Sequence, residues 1–157
     1  MLLFEILVGI VLIAFVANGF KSGAIETLGR VIGAILGFIA AKAFSGWFIG
    51  FASLFLPVDW AFTLSFLFIF LLVDYVVGLL FKLAEHILKI FTRLPILKQI
   101  NGVLGGLFGF LEGIIIIGGV SWLLKQSALE AGAEMITHLK IVAFINGVFE
   151  TVFLKLL

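Results

Sequence analysis

Apolar residues fall in long runs separated by short polar breaks. The runs 2–17, 23–44, 60–81 and 101–124 are each nearly free of charge. A bilayer core of about 30 Å asks for roughly 20 mostly apolar residues of helix. These four runs therefore predict four spanning helices. The first is short, at about 24 Å by the helical rise, and needs tilt or local thinning to cross. Asn18-Gly19 predicts a left-handed cap that ends it. Ser22 is the expected N-cap of the second helix, and Asp59, just after Pro57, that of the third. Residues 45–56 are apolar but too few to span. With Gly46, Gly50 and Pro57 at their edges they predict an interfacial or re-entrant piece.

The pattern changes after Phe81. Lys82, Glu85, His86, Lys89, Thr92 and Arg93 recur at helical spacing opposite Leu83, Ile87, Leu88, Ile90 and Phe91. The third helix is expected to leave the membrane and run on as an amphipathic helix over 82–94, until Leu94-Pro95 stops it. Residues 125–138 are polar. Beyond them Ile141, Phe144, Ile145, Val148, Val152 and Leu156 make one apolar face, largely opposite Lys140, Gly147, Glu150, Thr151 and Lys155. That is an amphipathic helix lying at the interface, with a fifth span as the alternative. The expected fold is all-α: a polytopic membrane domain over 1–125 with four transmembrane helices, then a polar linker and C-terminal amphipathic helix over 126–157.

Composition agrees with lipid as the solvent. Hydrophobic residues make up 64% of the chain and charged ones 12%, with a mean hydropathy of +1.37. Soluble domains run near half apolar and a quarter charged, and a small one could not hide the excess. The net charge of +1 gives no basic field for nucleic acid. No cysteine is present, which removes disulfides and thiolate chemistry. Met1-Leu2-Leu3-Phe4-Glu5 lacks the positive start of a cleaved signal peptide, so the first run is kept as a span. Lys21, Lys82, Lys89, Arg93 and Lys98 gather on one side, which orients the chain N-terminus out. Lys125, Lys140 and Lys155 then fall outside, against the rule.

Two sets of residues are candidates for function. Gly29, Gly33, Gly37 and Ala41 line one stripe of the second helix. Gly105, Gly109 and Gly113 line one of the fourth, with Gly102 and Gly106 beside them. Such stripes let backbones approach closely where lipid removes the hydrophobic drive for pairing. One reading packs these two helices on each other; the other is homo-oligomerisation or a thin-walled pathway. The second set is ionisable. Arg30, Asp74 and Glu112 lie at similar depth in the second, third and fourth helices, roughly 12–16 Å in. Each would cost about 3 kcal/mol facing lipid at mid-membrane, so pairing is expected. Glu26 stands one turn before Arg30 and can pair with it. The layer is either a structural ion pair that fixes register or a polar relay on a solute or proton path. Glu5 sits where it can snorkel to the surface. His86 and His138 are isolated, and no nucleophile–base set, zinc motif or phosphate loop occurs. Neither enzyme, metal nor cofactor is expected.

The chain resembles the colicin V production protein family of bacterial membrane proteins. Asn18-Gly19-Phe20-Lys21-Ser22-Gly23-Ala24-Ile25-Glu26 is similar to that family's G-F-x-x-G-x-x-x-E turn between helices one and two, carried by Gly19, Phe20, Gly23 and Glu26. Leu94-Pro95-Ile96-Leu97 and then Val103, Leu104, Gly105, Phe108, Gly109, Leu111 and Gly113 are similar to its later segment. Glu5 stands where members often carry Asp, and Gly102 and Glu112 where they often carry basic residues. The resemblance implies a multi-pass protein of the bacterial inner membrane, tied to production or export of a peptide toxin or to a general envelope role. It leaves two classes: a scaffold or accessory subunit, with the lipid bilayer and other membrane proteins or further copies as partners, or a small oligomeric transporter or channel.

Overall fold

The computed structural model describes residues 2–91, 95–126 and 139–151, and the side chains of 3–58, 60–84, 99–126 and 139–151. Five helices make up nearly all of them: α1 (Leu2–Ser22), α2 (Ala24–Ala52), α3 (Val58–Phe91), α4 (Pro95–Gln126) and α5 (Lys140–Phe149). The first four are long and apolar enough to cross a membrane. No strand occurs among the described residues. The fold is all-α and polytopic.

Helix ends differ from the expected ones. α1 does not stop at Asn18-Gly19 but continues to Ser22. Within lipid no water competes for backbone groups, so a weak breaker does not end a helix. The break falls on Gly23 alone, at φ 89° and ψ 171°, a region essentially restricted to glycine. Gly23 N–H still donates to the Gly19 carbonyl at 2.9 Å, and its own carbonyl accepts Thr27 N–H at 3.1 Å. Ser22 is therefore not the cap of α2. The cap comes from α4, where Asn101 Oδ1 accepts the Ala24 amide at 2.8 Å. α2 also runs straight through Gly46 and Gly50 to Ala52, so no separate re-entrant piece exists. A helical glycine costs only about 1 kcal/mol, and the turn waits for residues just before Pro57. Pro95 opens α4, a position where its missing N–H is no loss. Side chains of residues 85–94, which include the charged face predicted there, lie outside the described residues, as do 127–138 and 152–157.

Gly23 makes a sharp prediction. A Cβ there would enter the Asn101 side chain, and the backbone strain adds about 1–3 kcal/mol. Asn101→Ala removes only the cap, about 0.5–2 kcal/mol. Thermal unfolding in detergent should rank Gly23→Ala below Asn101→Ala. The double variant should recover the stability lost to the clash and not that lost to the strain.

Residue pairings set the directions. Gly19, Phe15 and Leu12 of α1 meet Gly105, Gly109 and Gly113 of α4, so these helices are antiparallel. Arg30 meets Glu112, and Phe38 meets Gly119 and Trp122, so α2 and α4 are parallel. Gly29, Gly33 and Gly37 meet Phe81, Asp74 and Phe70, so α3 returns antiparallel to α2. Two ends result: the Gly23 end, and the Glu5 end where α4 finishes and α5 begins. Towards the Glu5 end the core is aromatic. Phe38 stacks edge-on against Phe66, Trp122 and Phe149 at centroid distances of 5.5, 5.2 and 5.3 Å, geometries worth about 0.5–1.5 kcal/mol each beyond area.

α5 corrects a second expectation. Its buried face is Val142, Ile145, Asn146 and Phe149, while Phe144 is 66% exposed. Relative to the predicted face the helix is rotated by about one position. Asn146 turns inward because lipid offers it no partner, and it donates to Ser121 Oγ at 2.9 Å. Phe149 fills the notch left by Gly118 on α4. Glu5 does not simply snorkel, since its Oε1 accepts the Lys140 amide at 3.1 Å and so caps α5 from α1.

Candidate functional site: a charged layer between three helices

The ionisable residues gather because one helical turn and one helix pairing coincide. Glu26 and Arg30 stand four apart on α2, hence on one face. The parallel run of α4 brings Glu112 level with them. Arg30 Nε donates to both Glu112 oxygens, each at 3.1 Å. One terminal nitrogen donates to Ser22 Oγ at 3.1 Å and to Glu26 Oε1 at 3.3 Å, and the other to Thr27 Oγ1 at 3.4 Å. Ser22 Oγ in turn donates to Glu26 Oε1 at 3.3 Å. Thr27 is wholly buried and its hydroxyl donates to the Gly23 carbonyl at 2.7 Å. A planar five-donor guanidinium can satisfy four partners in this way; an ammonium cannot.

The side chains are sheltered, with 20% of Arg30 and 10% of Glu112 accessible. Asp74 comes from α3, across from Gly33, whose missing side chain makes the room. It lies within the field of Arg30, yet no hydrogen bond joins the two among the described residues. Gly78 leaves space beside the stem of Arg30. The layer thus sets three carboxylates, Glu26, Asp74 and Glu112, about one guanidinium. Such a group can lock the register of three helices, and it has acceptor capacity to spare for a proton. Among the described residues no three His, Cys, Asp or Glu are placed to hold a metal. His86 and His138 lie outside the described side chains.

The two glycine stripes do not pack on each other. Gly29, Gly33 and Gly37 face α3, where added Cβ atoms would meet Phe81, Asp74 and Phe70. Gly105, Gly109 and Gly113 face α1, against Gly19, Phe15 and Leu12. The α2–α4 contact is made instead by larger residues such as Val31, Phe38, Ile115 and Leu123. Gly102 and Gly106 sit under the Phe20 ring. The turn motif therefore works as a unit: Gly19 admits α4, Phe20 covers it, Gly23 breaks the helix and Glu26 engages Arg30.

Sequence reasoning passed over Asn101, Ser121, Asn146 and Thr27. The signal for the first three was a hydrogen-bonding side chain in an apolar run, which lipid leaves without a partner unless another helix supplies one.

Comparison with known proteins adds one finding. The profile of the colicin V production protein family matches residues 4–150. No curated protein and no solved structure matches the chain. With that match over nearly its whole length, and with four helices fit to span a bilayer, the chain belongs to the colicin V production protein family and is a multi-pass membrane protein.

Proposed function

We propose that the chain is an inner-membrane accessory protein in the production or export of a peptide toxin of the colicin V kind, acting by helix packing rather than by catalysis. The observation that carries this reading is the state of Arg30. Four of its five N–H donors are taken up by Glu112, Glu26, Ser22 and Thr27, all within the bundle. A group lining a conduction path would keep donors free for water or solute. Towards the Glu5 end, Phe38, Phe66, Trp122 and Phe149 fill the space above the layer. A single copy so packed suits a scaffold that presents its helix faces to other membrane proteins.

A second reading, a small oligomeric transporter or channel, draws on Asp74, the carboxylate left beside an already engaged guanidinium. One experiment separates the two. In a strain that exports colicin V, deletion of the chain should lower secreted toxin and re-expression restore it. The purified protein in proteoliposomes should pass protons and potassium no faster than empty vesicles. A flux well above that background, removed by Asp74→Asn, would replace the scaffold with the transporter. Export unchanged by deletion would remove the toxin role.

A further inference from the structure

The third helix is held on one side only. α3 runs packed along α2 and along no other described helix. Phe66 reaches Trp122 of α4 with ring centroids 5.6 Å apart, which closes the Glu5 end. Beside that contact, over Phe38, Phe70 and Ile115, lies an apolar cleft with Leu67 on one lip and Ile116 and Val120 on the other. At about 100° per residue, Leu67, Leu71, Asp74 and Gly78 form one stripe of α3 on the side of that cleft. Leu71 is exposed and the other three are half-buried. Gly78 adds room, since the nearest atom to a Cβ there would be the Arg30 Cγ at 4.0 Å.

That stripe carries the one carboxylate of the charged layer that has no donor. Asp74 stands against Gly33, and no hydrogen bond reaches its side chain among the described residues. Arg30 is drawn to the α4 side, where Nε donates to both Glu112 oxygens, and a terminal nitrogen serves Glu26. Three carboxylates thus share one guanidinium. Acyl chains offer Asp74 neither a donor nor a charge. Along the described helices the next cations, Lys82 and Lys42, stand at least about 12 Å of helix rise from Asp74 and from Gly33 beside it. A second copy would bring the same engaged Arg30 and the same surplus of carboxylates. The charge that complements Asp74 is therefore one this chain does not carry at that depth.

We propose that the stripe of Leu67, Leu71, Asp74 and Gly78 docks one transmembrane helix of another membrane protein, and that this helix carries a lysine or arginine at the depth of Asp74. Intramembrane charges pair with one another rather than face lipid, and here only the acidic half of a pair is present. Gly78, one turn from Asp74, lets the incoming backbone approach, as small residues do where helices meet in lipid. Leu67 and Leu71 supply the apolar remainder of the contact. Resting on the scaffold reading above, this docking gives the scaffold's partner a chemistry: an apolar helix with one mid-span cation.

The test uses the full chain, which has no native cysteine, in phosphatidylcholine vesicles at neutral pH. A donor fluorophore is placed on Ser53→Cys, in the exposed turn between α2 and α3. The probes are acceptor-labelled synthetic leucine–alanine transmembrane peptides, alike except for lysine or leucine at the central position. Energy transfer to the lysine peptide should half-saturate at a several-fold lower peptide-to-lipid ratio than to the leucine peptide. Asp74→Asn should bring the lysine peptide to the leucine level. Gly78→Leu, which fills the groove and keeps every charge, should weaken the lysine peptide several-fold and serves should Asp74→Asn fold poorly. Equal binding of the two peptides would overturn the docking face and would mean that a proton, not a partner's cation, answers Asp74. A lysine preference that survives both variants would place the peptide elsewhere and overturn it too. So would energy transfer between differently labelled copies of the chain that is lost in Asp74→Asn, which would give the stripe to a second copy. Toxin export and ion flux do not enter this assay, so equal peptide binding removes the cationic partner and leaves the scaffold reading to its own test.

Discussion

Gly109→Leu is expected to abolish the folded state in mild detergent, whereas Gly9→Leu should leave it intact. A Cβ at Gly109 runs into the Phe15 carbonyl, and one at Gly105 into the Gly19 carbonyl. Both obstacles are backbone, so no rotamer change relieves them. α1 would have to withdraw from α4 as a body. That withdrawal would part Ser22 from Arg30 and Glu5 from the start of α5. Overpacking where side chains can give costs about 1–3 kcal/mol; here nothing gives, and the cost is a large share of an ordinary stability of about 5–15 kcal/mol. At Gly113 the neighbour is the flexible Leu12 side chain at 2.7 Å, so Gly113→Ala should fall between. Gly9 has open space around it. The readout is the monodisperse fraction on gel filtration and the thermal midpoint. Equal behaviour of the Gly9 and Gly109 variants would mean that α1 and α4 do not meet backbone to backbone.

The same glycines mark the limit of what the sequence can convey. Run length and hydropathy were enough for four spanning helices, because a bilayer admits few other solutions. A small-residue stripe says that a backbone approaches, and nothing about which one. Gly105, Gly109 and Gly113 read equally well against α2 as against α1. What decides is the single-residue break at Gly23. It leaves Gly19 inside α1, aligned with the α4 stripe. The Asn18-Gly19 pair reads as a helix end only by rules learned in water. α5 fails for a related reason. A hydropathy face puts Asn146 outward, while lipid drives it inward onto Ser121.

The charged layer was more legible. Glu26 and Arg30 lie on one helix, so their pairing follows from spacing alone, and it is present at 3.3 Å. Equal depth brought Glu112 and Asp74 into consideration. Depth does not give azimuth, however, and azimuth separates their roles: Glu112 engages Arg30 through both oxygens, while Asp74 stands beside Gly33 without a hydrogen bond to it. Ser22 and Thr27, which complete the shell of Arg30, looked like a cap and a bystander. The turn at Gly23 carries Ser22 to the guanidinium, while Thr27 reaches it by helical spacing, three residues before Arg30 on α2.

Arg30→Leu should be the most damaging single change in the layer. It strips the cation from Glu26 and Glu112 together and from the field on Asp74. Removing one partner of a buried ion pair costs about 3–5 kcal/mol; with 20% of the Arg30 side chain accessible, the lower part of that range applies. Arg30→Lys keeps the charge but cannot reach Glu112, Glu26, Ser22 and Thr27 at once, so it should be intermediate. Glu112→Gln keeps an acceptor for Nε and should cost least. If Arg30 and Glu112 act as a pair, a double-mutant cycle with Arg30→Lys and Glu112→Gln should show coupling of about 0.5–3 kcal/mol, as for residues in direct contact. Unfolding in detergent measures each corner. Strictly additive losses would mean that the two side chains are not engaged across the α2–α4 interface, and the packed, closed layer on which the scaffold reading rests would go with them.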